Sequence, residues 1–187
     1  MYRILNRLPG SLKNMLMTFF LQRRHIGFVG MPSFSGTWPR IRNEGTLSMG
    51  KHCSFRSFRL RPNITVRNGA TLKIGDNAFI NDGVNICATL SISIGRHAKI
   101  GDMTYIYDTD FHETYPGSGI KQAPVCIGNN VWIGANSMLL AGAVIGDHSV
   151  IAAGSVVTGE IPAGCLAAGT PARPIKTLDV PEGWIRE

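Results

Sequence analysis

The chain has 187 residues, 44% of them hydrophobic and 17% charged, with 22 glycines and a formal net charge of +7. That length fits one domain with a full hydrophobic core, and the composition leaves little room for disorder. Cys53, Cys87, Cys126 and Cys165 are widely spaced, with no CxxC and no Cys/His pairing, which argues against a zinc site or a disulfide framework and for free thiols in a reducing cytosol.

The charge is unevenly spread. Residues 1–73 carry thirteen Lys or Arg against one acid, Glu44, a net +12, whereas residues 74–187 sum to −5. The basic third suits an anionic partner such as a membrane face or an acidic glycan. It lacks the interleaved aromatics of a nucleic-acid platform, so no nucleic-acid partner is expected.

Residues 1–30 read as a basic amphipathic segment. Two helical pieces divided by Pro9-Gly10 are expected, the second capped by Ser11, with Leu12, Met15, Leu16 and Phe19 on one stripe and Arg23 and Arg24 at its C-terminal end. The apolar run Met15 to Leu21 is too short to span a bilayer, and no small-residue cleavage site follows it. The helix then either caps the fold or lies on an anionic membrane through residues 1–24.

Residues 28–45 read as an irregular, Gly/Pro/Ser-rich entry. Beyond them Met49, Cys53, Phe55, Leu60, Ile64 and Val66 suggest early coils with bulky inward residues. Regular coils follow at Ile74, Ile80 and Ile86. The phase resets across a longer corner at Thr89 to Ser93, and continues at Ile94, Ile100 and Ile106. From Ile127 every sixth residue is aliphatic: Ile133, Leu139, Ile145, Ile151, Val157. Val131, Ser137, Ala143, Ser149 and Ser155 repeat four places after each of the first five. Neither the helix period of 3.6 nor the strand period of 2 groups these side chains, but a coil turning every six residues does. Period six is the signature of a parallel β-helix, here assigned to residues 31–178, with 179–187 a tail of no strong pattern. The repeat fails between Phe111 and Val125, so His112 to Pro124 is expected as an extruded loop, the usual place for function on a rigid solenoid.

Val131-Trp132-Ile133-Gly134-Ala135, Ala153-Gly154-Ser155-Val156-Val157-Thr158, Ile161-Pro162 and Gly169-Thr170-Pro171-Ala172-Arg173 closely resemble the hexapeptide-repeat O-acetyltransferases of sugars and polysaccharides, related to the maltose and galactoside acetyltransferases. The resemblance covers roughly Ile74 to Lys176. It implies an all-β, left-handed parallel β-helix, assembled as a homotrimer with acetyl-coenzyme A between subunits. It also implies a cytoplasmic enzyme, peripheral to the inner membrane face if the N-terminal segment binds there. The same resemblance marks His112 as general base and Asn81 as the acceptor-contacting amide. Trp132 falls near the acceptor and pantetheine. Ala135 and Ala153 supply backbone contacts, Thr158 a hydroxyl, and Arg173 and Lys176 meet the nucleotide phosphates. Gly159 stands where a lysine is common and Thr170 where an asparagine is.

From the residues themselves, an imidazole at the mouth of a loop suits proton transfer near neutral pH. Asp108, Asp110 and Glu113 are the acids near enough in sequence to orient its ring, Asp110 being the first choice and Asp108 a candidate for substrate contact. His52, His97 and His148 fall at equivalent corners, and no second histidine lies near His112, so no metal is expected. Two other functions fit the residues: N-acetylation of a nucleotide-linked amino sugar, and a noncatalytic β-helix scaffold.

Overall fold

The computed structural model describes residues 10–186. The helical piece expected before Pro9 lies outside them, as does the side chain of Ser11. One helix, α1 (Gly10–Gln22), precedes a solenoid of twenty-one short strands. Every third strand joins the same sheet, except that the last pairs antiparallel with the strand before it, giving three faces of seven, eight and six strands. The first faces begin with β1 (Ile26–Phe28), β2 (Ser33–Gly36) and β3 (Arg40–Asn43) respectively.

Parallel register stacks like on like through the whole length. On the first face Met49, Ile74, Ile94, Ile127, Ile145 and Ile161 lie in one ladder. On the second, Phe34, Phe55, Ile80, Ile100, Ile133 and Ile151 do so. On the third the ladder is Ile41, Ile64, Ile86, Ile106, Leu139 and Val157. These side chains are buried and form one core. Full burial of each contributes about 1.5–3 kcal/mol.

The small residues between them do separate work. Ser137, Ser149 and Ser155 are buried, yet each hydroxyl donates to a carbonyl, on Gly134 (2.8 Å), Pro162 (2.7 Å) and Ala152 (2.7 Å). At Gly134 the next coil lies against the backbone: an added Cβ would sit 2.4 Å from the Ala153 nitrogen. His52, His97 and His148 occupy one corner together with Asn77 and Asn130, all with φ between +55° and +64°. Their amides bond carbonyls at that corner, as in His97 to Asp76 (2.8 Å) and Asn130 to Arg96 (2.7 Å). They are corner residues, as their spacing suggests.

Three expectations are corrected, and one finding is added. Residues 28–45 are not irregular: the first coil starts at Ile26, and Phe34 and Ile41 stack on Phe55 and Ile64. Turn-forming residues at the corners hide a pattern only one inward residue deep per face. Leu60 is 52% exposed, because Phe58 to Arg61 bulge outward as a lobe between the buried Ser57 and Pro62 instead of closing a tight corner. The helix buries Met17 and Leu21, not Met15 and Phe19. Phe20 fixes that rotation by packing its ring edge-on to Trp38 (4.5 Å) and Phe34 (6.4 Å). The C-terminal residues are docked: the Asn130 side chain donates to the Trp184 carbonyl (3.0 Å) and accepts from the Arg186 amide (2.8 Å).

Candidate functional site

The solenoid leaves its path between β12 (Tyr105–Tyr107), on the third face, and β13 (Val125–Ile127), on the first. The expected loop is therefore present, and it begins at Asp108. The Asp108 carboxylate is fully buried and accepts three hydrogen bonds, from the Thr89 amide (2.8 Å), the Thr89 hydroxyl (2.7 Å) and the Leu90 amide (2.8 Å). Its two ends are zipped by Ala123 N to Asp108 O and Asp110 N to Lys121 O, both 3.0 Å, around a Thr109–Gln122 bridge. Gln122 also donates to Thr89 Oγ1 at 2.8 Å. The loop thus has a rigid base, and the longer corner at Thr89 is its other half.

Three candidate acids separate by environment. Asp108, expected to meet substrate, is buried and accepts from three donors of the Thr89 corner, which makes it the loop's anchor. Glu113 is drawn to the loop tip, where its oxygens accept from Gly117 (3.3 Å) and Gly119 (3.2 Å). Asp110 keeps its carboxylate free of hydrogen bonds among the described residues. It accepts through its carbonyl from the His112 amide, at 2.8 Å. His112 itself is exposed, and its ring has no hydrogen-bond partner among the described residues. Phe111, in the left-handed region at φ +63°, turns the chain sharply before it. Beneath lies an aromatic shelf: Phe111 packs edge-on to Tyr107 (5.4 Å), and Tyr107 to Tyr105 (5.9 Å). Burial, then the neighbouring Tyr105, raises the Tyr107 phenol above its ordinary pKa, so it stays a neutral donor.

A second group gathers elsewhere on the prism. Asn81 follows β8 (Phe79–Ile80) at the corner between the second and third faces. Its side-chain oxygen accepts from the Asp82 amide (2.9 Å), and its amide nitrogen has no acceptor among the described residues. At the same corner in later coils stand Asp102, Ala135 and Ala153, tied by Asn136 N to Asp102 O (2.8 Å) and Gly154 N to Ala135 O (2.9 Å). The amides of Ala135 and Ala153 make no hydrogen bond among the described residues, which leaves a small-residue channel with free donors. At its lower end Arg59 bonds Asp102 and donates its amide to Asp82 (3.0 Å), while Arg56 lies 3.6 Å from the buried Asp82 carboxylate. Sequence reasoning missed this ion cluster. The lost period at Ser57 to Pro62 was its only signal.

Trp132, in β14 (Trp132–Ile133), points outward from the second face and is 47% exposed. It lies between Lys99 and Val150 in register. Phe79, Lys99, Trp132 and Arg186 line a cleft of about 510 Å3. The Arg186 guanidinium sits 4.8 Å from the Trp184 ring and 5.8 Å from that of Trp132, and burial lowers its pKa below the usual arginine value. The tail was therefore the overlooked wall of this cleft.

Thr158 is exposed at the corner between third and first faces, the corner that also carries the His112 loop. Arg173 and Lys176 are exposed on β21 (Ala172–Thr177), which pairs antiparallel with β20 (Cys165–Gly169) at the end of the second face. The Arg173 guanidinium spends one donor on the Ala172 carbonyl (2.9 Å), and the Lys176 side chain makes no hydrogen bond among the described residues. The sequence-predicted residues thus fall into separate groups. His112, Asp110 and Thr158 share one corner; Asn81, Ala135 and Ala153 share another, beside Trp132. The two groups stand at different corners of the chain. No cluster of His, Cys, Asp or Glu fit for a metal occurs among the described residues.

Residues 127–159 match the family described as bacterial transferase hexapeptide (six repeats). Galactoside O-acetyltransferase of Escherichia coli (strain K12) is 34% identical over 123 residues, 64% of this chain and 61% of that protein's length. A protein of the same strain named "Putative lipopolysaccharide biosynthesis O-acetyl transferase WbbJ" is 33% identical over 148 residues, 73% of this chain and 74% of its own. Among solved structures, the hexapeptide-repeat-containing acetyltransferase VCA0836 of Vibrio cholerae O1 biovar eltor, complexed with acetyl coenzyme A, is similar with a TM-score of 0.62. It is 28% identical, and the match covers 94% of this chain and 82% of that one.

Proposed function

Since the chain belongs to the hexapeptide-repeat acetyltransferases, we propose that it transfers an acetyl group from acetyl-coenzyme A to a sugar hydroxyl in glycan synthesis. The observation that carries this reading is the loop from Asp108 to Pro124, pinned at its base by a buried carboxylate, which presents an unpaired imidazole at an edge of the prism. The naming of two relatives as O-acetyltransferases supports the hydroxyl as acceptor.

In the proposed reaction His112 takes the proton of the acceptor hydroxyl as its oxygen attacks the thioester carbonyl. The amide of Asn81 donates to the resulting oxyanion. The C–S bond then breaks, and His112 returns the proton to the leaving coenzyme A sulfur. No covalent enzyme intermediate is required. Asp110 is the acid left to orient the ring, and Trp132 offers a face for stacking a sugar. Ala135 and Ala153 would hold the pantetheine through free amides, with Thr158, Arg173 and Lys176 toward the nucleotide. The two half-sites lie on different corners, so the reading requires that one subunit's loop meet a neighbour's channel. A cyclic homotrimer supplies that contact at every interface. The protein would work on the cytoplasmic side, reaching a membrane through its basic third.

An acceptor screen with acetyl-coenzyme A, followed by free thiol release, tests the proposal. A base-labile ester product supports it. A base-stable amide product would instead establish the amino-sugar alternative, and no thiol release with any glycan would leave a scaffold.

A further inference from the structure

A helix that merely caps a solenoid is expected to show water a polar outer face. Here α1 does not. Met17 and Leu21 are buried against the first coil, while Met15 and Phe19, on the opposite side, are 60% and 56% exposed. The helix has two apolar stripes and only one is used by the fold. No acid occurs before Glu44, whereas seven Lys or Arg do. Between the helix and the first coil runs a cleft of about 800 Å3, whose walls include Phe19, Phe20 and Trp38 and whose rim carries Arg23, Arg24 and Arg42.

The guanidinium groups are set by their neighbours. Arg23 lies over the Phe19 ring (5.3 Å) and Arg24 over the Phe20 ring (4.0 Å). Arg24 Nε donates to the Ile41 carbonyl (3.3 Å), and Arg42 is paired with Glu44 (2.6 Å). Stacking on a ring occupies the flat face of a guanidinium and leaves its N–H edges for phosphate oxygens. Arg23 makes no ion pair among the described residues, and Arg24 spends only one donor.

We propose that this cleft and the outer stripe of α1 form a binding site for anionic phospholipid at a bilayer surface. The phosphate meets Arg23 and Arg24, the acyl region lies against Phe19, Phe20 and Trp38, and Met15 enters the interface beside them. A solvated basic patch would lack the apolar walls, and a plain apolar groove would lack the guanidinium rim; both together match a phospholipid headgroup and its chains. The proposal rests on the membrane contact included in the function above, but not on the chemistry at His112.

The test is co-sedimentation of the full chain with vesicles of phosphatidylcholine alone or with added phosphatidylglycerol, read beside thiol release on a soluble acceptor. Binding should appear with phosphatidylglycerol and weaken with salt. Arg23→Ala/Arg24→Ala should lower the partition coefficient about 30-fold, and Phe19→Ser should remove the part that survives high salt, with thiol release unchanged in both. Equal binding to both vesicle types, or variants that bind like the parent, would overturn the proposal. So would displacement by inorganic phosphate, the mark of a soluble-phosphate site, or a lower oligomeric mass for Phe19→Ser, the mark of a contact between copies. Loss of thiol release in the parent alone would refute the catalytic reading and leave this one standing.

Discussion

Replacing Asp108 by asparagine changes one oxygen for an amide and little else in volume. In the native chain its two oxygens receive three donors at 2.7 to 2.8 Å, with no exposure to water. Asparagine keeps one acceptor and turns two N–H donors toward groups that are themselves donors. Hydrogen bonds to a buried charge are worth roughly 1.5–3 kcal/mol each, so the net cost should be about 3 kcal/mol after relaxation. For a chain of this size that lowers the melting temperature by about 6–12 °C. The damage should be local first, because Asp108 joins the Thr89 corner to the base of the His112 loop. Turnover at a temperature where the variant is fully folded should fall on the order of 100-fold, the usual result of misplacing a catalytic group by about an ångström. Thermal unfolding by circular dichroism and thiol release at saturating substrates measure the two effects. An Asp108→Asn protein that melts and turns over like the parent would refute the anchoring role.

Other expectations follow from the same geometry. Gly134→Ala should cost more than about 3 kcal/mol and abolish soluble yield, because its Cβ meets Ala153 backbone at 2.4 Å; Gly154→Ala, in open space at φ +72°, should cost about 1 kcal/mol. Of the cysteines only Cys126 is exposed, so a chromogenic disulfide should titrate one thiol quickly in the native protein and four after unfolding. Burial pushes the Cys53 thiol up to about 11 from 9.0; the folded state then holds a proton that the unfolded state has lost, and urea midpoints should fall as pH rises from about 9 to 11. Asn130→Ala should release the tail, opening Trp132 and Trp184 further to acrylamide quenching, and should cost about 1–2 kcal/mol, or about 2–8 °C in melting temperature, because it puts an alanine in the left-handed region at a buried position.

The solenoid was legible because each face stacks one aliphatic ladder, and in residues 127–157 the ladder residues keep a strict interval of six. The first coil was not, because its ladder residues Phe28, Phe34 and Ile41 stand six and then seven apart, too short and uneven a run to set a period among prolines and glycines. The site was legible in its residue types and not in its assembly. His112 stood out because the repeat stops before it. What Asp108 and Glu113 do depends on Thr89, Leu90, Gly117 and Gly119, contacts that spacing does not reveal. The docking of Arg186 beside Trp132 draws on Asn130, a residue indistinguishable in sequence from the other corner asparagines.

The central claim is that His112 on one subunit and Asn81 on its neighbour make one acetyl-transfer site. Mixing the inactive variants His112→Ala and Asn81→Ala, unfolding and refolding them together, and measuring acetyl-coenzyme A dependent ester formation on a glycan acceptor tests it directly. Each variant alone should lose on the order of 100-fold or more. Random cyclic assembly should restore about a quarter of parental activity, since one interface in four pairs an intact loop with an intact channel. No recovery in the mixture, or a His112→Ala protein as active as the parent, would contradict the account.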